Sequence, residues 1–162
     1  MMAKILVFTE TNKESVKTVS LEILGKLAGH EVDVATIGDI GAEGTQELAK
    51  NGAANIHCLK GDNLDQYSPE GYANALKEFI SSNSYDYVFA GSTPTGKDLM
   101  PRLSGMLDAG MASEVTNFQF EGDEFQGTRP MFAGKCLCKV RIQGPKPHFV
   151  TVRPNALGLT ES

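Results

Sequence analysis

A chain of 162 residues, 41% hydrophobic and 22% charged, is long enough for one domain with a substantial core and too apolar to stay disordered. A formal charge of −5 without any basic run argues against a nucleic-acid partner, and the four apolar residues 5–8 are too few for a signal-peptide core or a membrane span. Three cysteines, Cys58, Cys136 and Cys138, make neither a disulfide framework nor a zinc spacing, so reduced, packed thiols are expected. The location that follows is cytoplasmic, or the mitochondrial matrix if a transit peptide has been removed.

Residues 4–9 are a dense apolar run and read as a strand, ended at Glu10. Residues 15–28 are predicted helical because Val16, Val19, Ile23, Leu24 and Leu27 share one face, with Gly29 as the stop. A strand over 32–37 is broken by Gly38. A second helix over 42–51 is stopped by Asn51-Gly52, and a short third strand covers 55–59. The polar loop 61–68 ends in Ser68, an N-cap followed by Pro69 at the first helical position and Glu70 in the first turn. Tyr72, Ala75, Leu76, Phe79 and Ile80 then give the cleanest helical stripe in the chain.

Tyr87, Val88, Phe89 and Ala90 form a fourth apolar strand. It hands over through Gly91-Ser-Thr-Pro-Thr-Gly96 to a helix carrying Leu99, Leu103, Met106 and Leu107. Four strands alternating with helices imply a parallel sheet with right-handed crossovers. Beyond Asp108 the helical period is lost. Residues 115–120, 124–131, 135–142 and 149–152 read as strands, the first two joined by a turn at Glu121-Gly-Asp-Glu124. The expected fold is three-layer α/β/α of the nucleotide-hydrolase type. Its open sheet is expected to be mixed, parallel βα units first and antiparallel strands in the C-terminal third. The domain is expected to span residues 1–157, with 158–162 as a tail.

The loop before the fourth helix carries the chemistry to be weighed. Residues 91–97 satisfy GxxxxGK, but the next position is Asp98 where a phosphate-binding loop needs a magnesium-coordinating hydroxyl, and a carboxylate there repels a triphosphate. Asp98 reads as an N-cap instead. That places Pro101 in the first turn, and it is preferred to a capping box of Thr95 with Asp98, in which Pro101 would clash inside the helix. In open α/β sheets ligands sit at the carboxyl ends of strands, which makes Thr9, Glu10, Ser92, Thr93, Thr95 and Gly96 the candidates for a nucleotide crevice. No GxGxxG follows the first strand, where the chain reads Thr9-Glu10-Thr11-Asn12, so a standard dinucleotide fold is not indicated. His30, His57 and His148 are scattered and read as structural. Arg102, Arg129, Arg141 and Arg153 are candidates for ion pairs or a partner-facing surface, with Asp108 or Glu114 as the expected partner of Arg102. With no nucleophile and base to pair, a hydrolase is disfavoured and no catalytic or metal-ligating residue is assigned.

Three ordered stretches carry a family resemblance. STPTGKDLMPRLSGMLD, with Thr95, Gly96, Lys97, Pro101, Arg102, Leu107 and Asp108, resembles TTTGKDxxPRxAxxLD of the electron transfer flavoprotein alpha subunit. RPMFAGKCLCKV resembles that family's RPxYAGNAxAxV, and FVTVRPNAL its ITVRPxxF, while AKILVFTE is similar to its opening strand. The resemblance implies the first domain of that subunit, without the flavin-binding half. No cofactor is then expected on this chain alone, with FAD in the full heterodimer. The partners implied are a beta subunit, a flavin domain, dehydrogenases such as those of fatty acid beta-oxidation, and a quinone-linked acceptor. The beta subunit's similar domain holds a structural AMP, whereas the alpha crevice is taken to be without nucleotide. A free-standing adenine-nucleotide-binding module is the alternative.

Overall fold

The computed structural model describes residues 3–11 and 15–160. A six-stranded sheet in the order β3-β2-β1-β4-β9-β5 is parallel at every pairing. Its strands are β1 (Lys4–Thr9), β2 (Glu31–Ile37), β3 (Asn55–Leu59), β4 (Tyr87–Gly91), β5 (Met111–Val115) and β9 (His148–Val152). The helices α1 (Thr18–Lys26), α2 (Gly41–Lys50), α3 (Pro69–Asn83) and α4 (Pro94–Met106) connect the first five of these strands. Three further strands, β6 (Asn117–Glu121), β7 (Glu124–Met131) and β8 (Cys136–Val140), form an antiparallel sheet of their own.

The α/β class and the change from parallel to antiparallel pairing stand as expected, including the turn at residues 121–124. The single mixed sheet does not. The antiparallel strands leave the main sheet, and β9 returns to insert between β4 and β5 as a parallel strand. All five of its residues are buried, as befits a strand covered on both faces. Strand β5 was not foreseen. Helix α1 also starts later than the apolar stripe suggests, because Val16 is held outside it in a bridge to Thr11. The loop at residues 12–14 and the last two residues of the expected tail lie outside the described residues.

Alternate residues of each main strand face opposite layers. Ile5, Val7, Val32, Val34 and Phe89 pack under α1, α2 and the small sheet, together with Phe118 and Phe125. Leu6, Phe8, Ala35, Val88 and Phe149 pack under α3 and α4, against Leu76, Ile80, Leu99 and Leu103. The three-layer expectation therefore holds, with the small sheet covering part of one face where a helix would otherwise lie. Tyr87 joins that sheet to the main one. Its hydroxyl donates to the Asp123 carbonyl at 2.7 Å and accepts from the Phe125 N–H at 3.2 Å.

Each of the three histidines lies against an aromatic ring. His30 stacks on Phe120, His57 on Phe79, and His148 lies against Tyr87 with Nε2 at 3.0 Å from the Gly144 carbonyl. The cysteines are free but not packed as expected, since Cys58 is exposed on edge strand β3 and Cys136 and Cys138 are half-buried. The segment after β9 is more than a tail. Glu22 of α1, 2% exposed, accepts the backbone N–H groups of Asn155, Leu157 and Gly158, each at 3.1 Å. Thr160 lies so close to Gly25 that a Cβ there would sit 2.7 Å from its hydroxyl.

Candidate functional site

The strand order reverses between β1 and β4, so the crevice at their carboxyl ends is where an open α/β sheet takes a ligand. The structure brings the six candidate residues to this crevice and also shows what fills it. Thr93, not Asp98, caps α4. Its hydroxyl accepts the Gly96 N–H at 3.1 Å, and Pro94 takes the first helical position. Pro101 consequently lies inside the helix, on its exposed side. Asp98 instead accepts the Tyr67 hydroxyl, and burial, then that bond to Asp98, pushes the Tyr67 phenol well above its ordinary value.

The Thr93 hydroxyl in turn donates to the Glu10 carboxylate, whose other oxygen pairs with Lys17 at 2.9 Å. A carboxylate of the chain itself thus lies at the N-terminus of α4, where an anionic ligand would be drawn. Thr9 and Ser92, at the carboxyl ends of β1 and β4, are 1% and 7% exposed, and their hydroxyls have no partner among the described residues. Thr95 borders the remaining cavity of about 150 Å³, with Phe8, Thr9, Glu10, Thr11, Ile37, Tyr67 and Tyr72. Beside it, sharing Thr11, Ile37 and Tyr72, opens a recess of about 570 Å³ whose charged groups are Asp39, Lys60 and Asp65. Sequence reasoning missed this recess because its wall is built from the loops after β2 and β3, which carry no motif.

The glycines that imitate a phosphate-binding loop have packing roles. A Cβ on Gly96 would lie 1.9 Å from the Gly91 carbonyl oxygen, and one on Gly91 would lie 2.5 Å from Val19 Cγ1. Lys97 turns to Glu114, at 2.7 Å, instead of toward a phosphate cradle.

Glu114 leads to a second place that the sequence did not reveal. It stands at a register shift in β5, in left-handed backbone at φ 54°, with its N–H held by the Thr151 hydroxyl at 3.0 Å. Arg153 lies 3.7 Å from its carboxylate, so the expected partner of Arg102 is bound by Lys97 and Arg153 instead. The hydrogen bond from Lys97, aided by the charges of Arg153 and Arg129, holds the Glu114 carboxyl below its usual value. Glu114, Arg129, Arg153, the β7 residues Pro130 and Met131, and the turn residues Phe132, Ala133 and Gly134 line a recess of about 580 Å³. Lys97, Arg129 to Gly134, and Thr151 with Arg153 come from the three motifs separated in sequence, and the fold gathers them here. Arg141, by contrast, bridges Glu121 and Glu124 at the other end of the small sheet.

The fold is thus a parallel α/β domain with a carboxylate of its own at the strand-end crevice and with residues of three separated motifs converging at Glu114. Residues 5–161 match the electron transfer flavoprotein domain, and the chain belongs to that family. The alpha subunit of the Clostridium acetobutylicum electron transfer flavoprotein is 28% identical over 91% of this chain and 46% of that protein. The Bacillus subtilis alpha subunit is 29% identical over 98% of this chain and 50% of that one. LctC, a subunit of the NAD(+),ferredoxin lactate dehydrogenase of Acetobacterium woodii, is 26% identical over 92% of this chain and 37% of that one. The chain therefore spans about half the length of the curated relatives it matches, or less. Among solved structures, the C-terminal domain of a Pyrococcus furiosus hydrogenase is similar at a TM-score of 0.38 and 18% identity, over 64% of this chain and 85% of that one, too slight a likeness to carry an argument.

Proposed function

We propose that this chain is the platform of an electron transfer flavoprotein of alpha type, working in the cytoplasm. It pairs with a beta-type subunit and supports a flavin-bearing part that lies outside these residues. That part passes electrons from a dehydrogenase to a quinone-linked acceptor. One observation carries the proposal: the family match runs from residue 5 to residue 161, while the chain covers only about half of its relatives. The LctC likeness widens the donor class beyond the acyl-CoA dehydrogenases that the sequence resemblance suggests.

Two features support a chain that holds no FAD by itself: Glu10 takes the Thr93 hydroxyl at the α4 N-terminus, and the recess of about 570 Å³ beside the Thr95 cavity carries the carboxylates Asp39 and Asp65, which repel a pyrophosphate. The chain's own contribution is a rigid sheet and a surface. Among the described residues no helix is long and apolar enough to cross a membrane.

The test is the visible spectrum of the purified chain, followed by calorimetric titration with FAD. A colourless protein without tight flavin binding is expected, and a yellow one holding one flavin per chain overturns the platform reading. The unpartnered hydroxyls of Thr9 and Ser92 favour one rival, an adenine-nucleotide-binding module. Mass spectrometry of material released on denaturation separates the two, because only the module yields bound nucleotide.

A further inference from the structure

The recess around Glu114 has three properties that the crevice lacks. Its charge is unbalanced. Lys97, Arg129 and Arg153 surround one carboxylate, and Arg129 Nε is buried without a partner among the described residues. A buried donor of that kind calls for an acceptor. The backbone at its rim is costly to hold, with Glu114, Phe132 and Ala133 all at positive φ, at 54°, 52° and 54°. It also presents large apolar groups. Phe132 is 74% exposed, Met131 38%, and Leu137, cross-strand from the recess-lining Pro130, 69%. Arginine with phenylalanine and methionine is the composition of a protein-binding surface.

The geometry points to this recess as the docking face for a carboxylate-bearing loop of the beta-type subunit, an inference that rests on the platform reading above. An Asp or Glu of the partner enters between Arg129 and Arg153 and meets their fixed guanidinium forks. Phe132 and Met131 then pack on the apolar residues flanking it. The charge argument favours an acidic segment, since one negative group already lies among three positive ones and leaves an excess of two. The recess is open to solvent and continues onto an exposed hairpin. That suits a loop of a larger protein better than a small ligand, which normally has about 70–90% of its surface buried.

The test measures binding of this chain to the beta-type subunit of the same organism by calorimetry at low and high salt. Wild type is compared with Arg153→Gln, Phe132→Ser and, away from the recess, Lys60→Gln. Circular dichroism verifies folding, and because Arg153 and Phe132 are exposed, the two recess variants check one another. Arg153→Gln and Phe132→Ser are each expected to weaken binding about tenfold or more, Lys60→Gln less than about twofold, with wild-type affinity falling as salt rises. Recess variants that bind like wild type overturn the docking face and leave the platform reading intact. A wild-type chain that binds no beta-type subunit overturns both. If AMP binds the wild type and Arg153→Gln abolishes that binding without altering partner affinity, the recess is a nucleotide site and the docking face is wrong.

Discussion

The two strand-end recesses differ in how they meet charge. At the reversal between β1 and β4, Glu10 is satisfied by Thr93 and Lys17, and the loop glycines pack against neighbouring atoms. At the β5–β9 edge, three cations share one carboxylate, Arg129 Nε has no acceptor among the described residues, and Phe132 faces solvent. At the first place the charges are paired, though the Thr9 and Ser92 hydroxyls have no partner among the described residues, and at the second a surplus of positive charge remains. The charged groups at the position that the fold marks for a ligand thus bind one another, whereas those at an edge the topology does not mark are left with surplus positive charge.

The largest effect should come from breaking the closed side. Gly96→Ala sets a methyl against the Gly91 carbonyl and should cost about 3 kcal/mol in urea unfolding; a loss below about 0.5 kcal/mol would mean the loop has slack. Glu10→Ala should cost about 1–2 kcal/mol and uncover the α4 N-terminus. Inorganic phosphate should then raise the melting temperature of this variant and not that of wild type; equal response in both would deny that Glu10 fills an anion seat. The open side should behave oppositely, with Arg129→Met changing stability by no more than about 0.5 kcal/mol.

An effect of similar size concerns pH. The folded Glu114 carboxyl titrates below its ordinary 4.5, so its contribution is present above that value and is lost as pH falls from there through the lowered folded value. Comparing wild type with Glu114→Gln should give a gap of about 0.5 kcal/mol at neutral pH, closing in acid, since these exposed pairs are screened by water. A gap constant from neutral pH into strong acid would remove the ion pairs from the account.

The sequence made legible the elements whose signals are local. Strands β1 and β3 and the Ser68-capped start of α3 lie where their residues indicate. The start of α4 was misread because two prolines compete for the first turn. Pro101 seemed to demand it, yet its ring points to solvent and the helix tolerates it, while Thr93 and Pro94 supply the cap and first position. The return of β9 was misread because strand order is settled by which edges are free. Its apolar residues Phe149, Val150 and Val152, on both faces of the strand, were nevertheless a usable sign of a strand covered on both sides. Among the crevice candidates, proximity was legible but occupancy was not, because the Glu10–Thr93 bond joins residues 83 apart. The recess at Glu114 was illegible for a similar reason. Its three motifs could be recognised one by one, and only folding shows that they meet.

The carboxylate of Glu22 has a mechanical consequence. With three N–H groups of residues 155–158 fastened to it, the segment that leaves β9 is moored to α1. A pull on anything joined beyond residue 160 would travel into a helix packed across the main sheet instead of drawing β9 out from between β4 and β5. The swing of such an attachment would begin at Thr160 against Gly25, shortening the lever and shielding the central strands from its load.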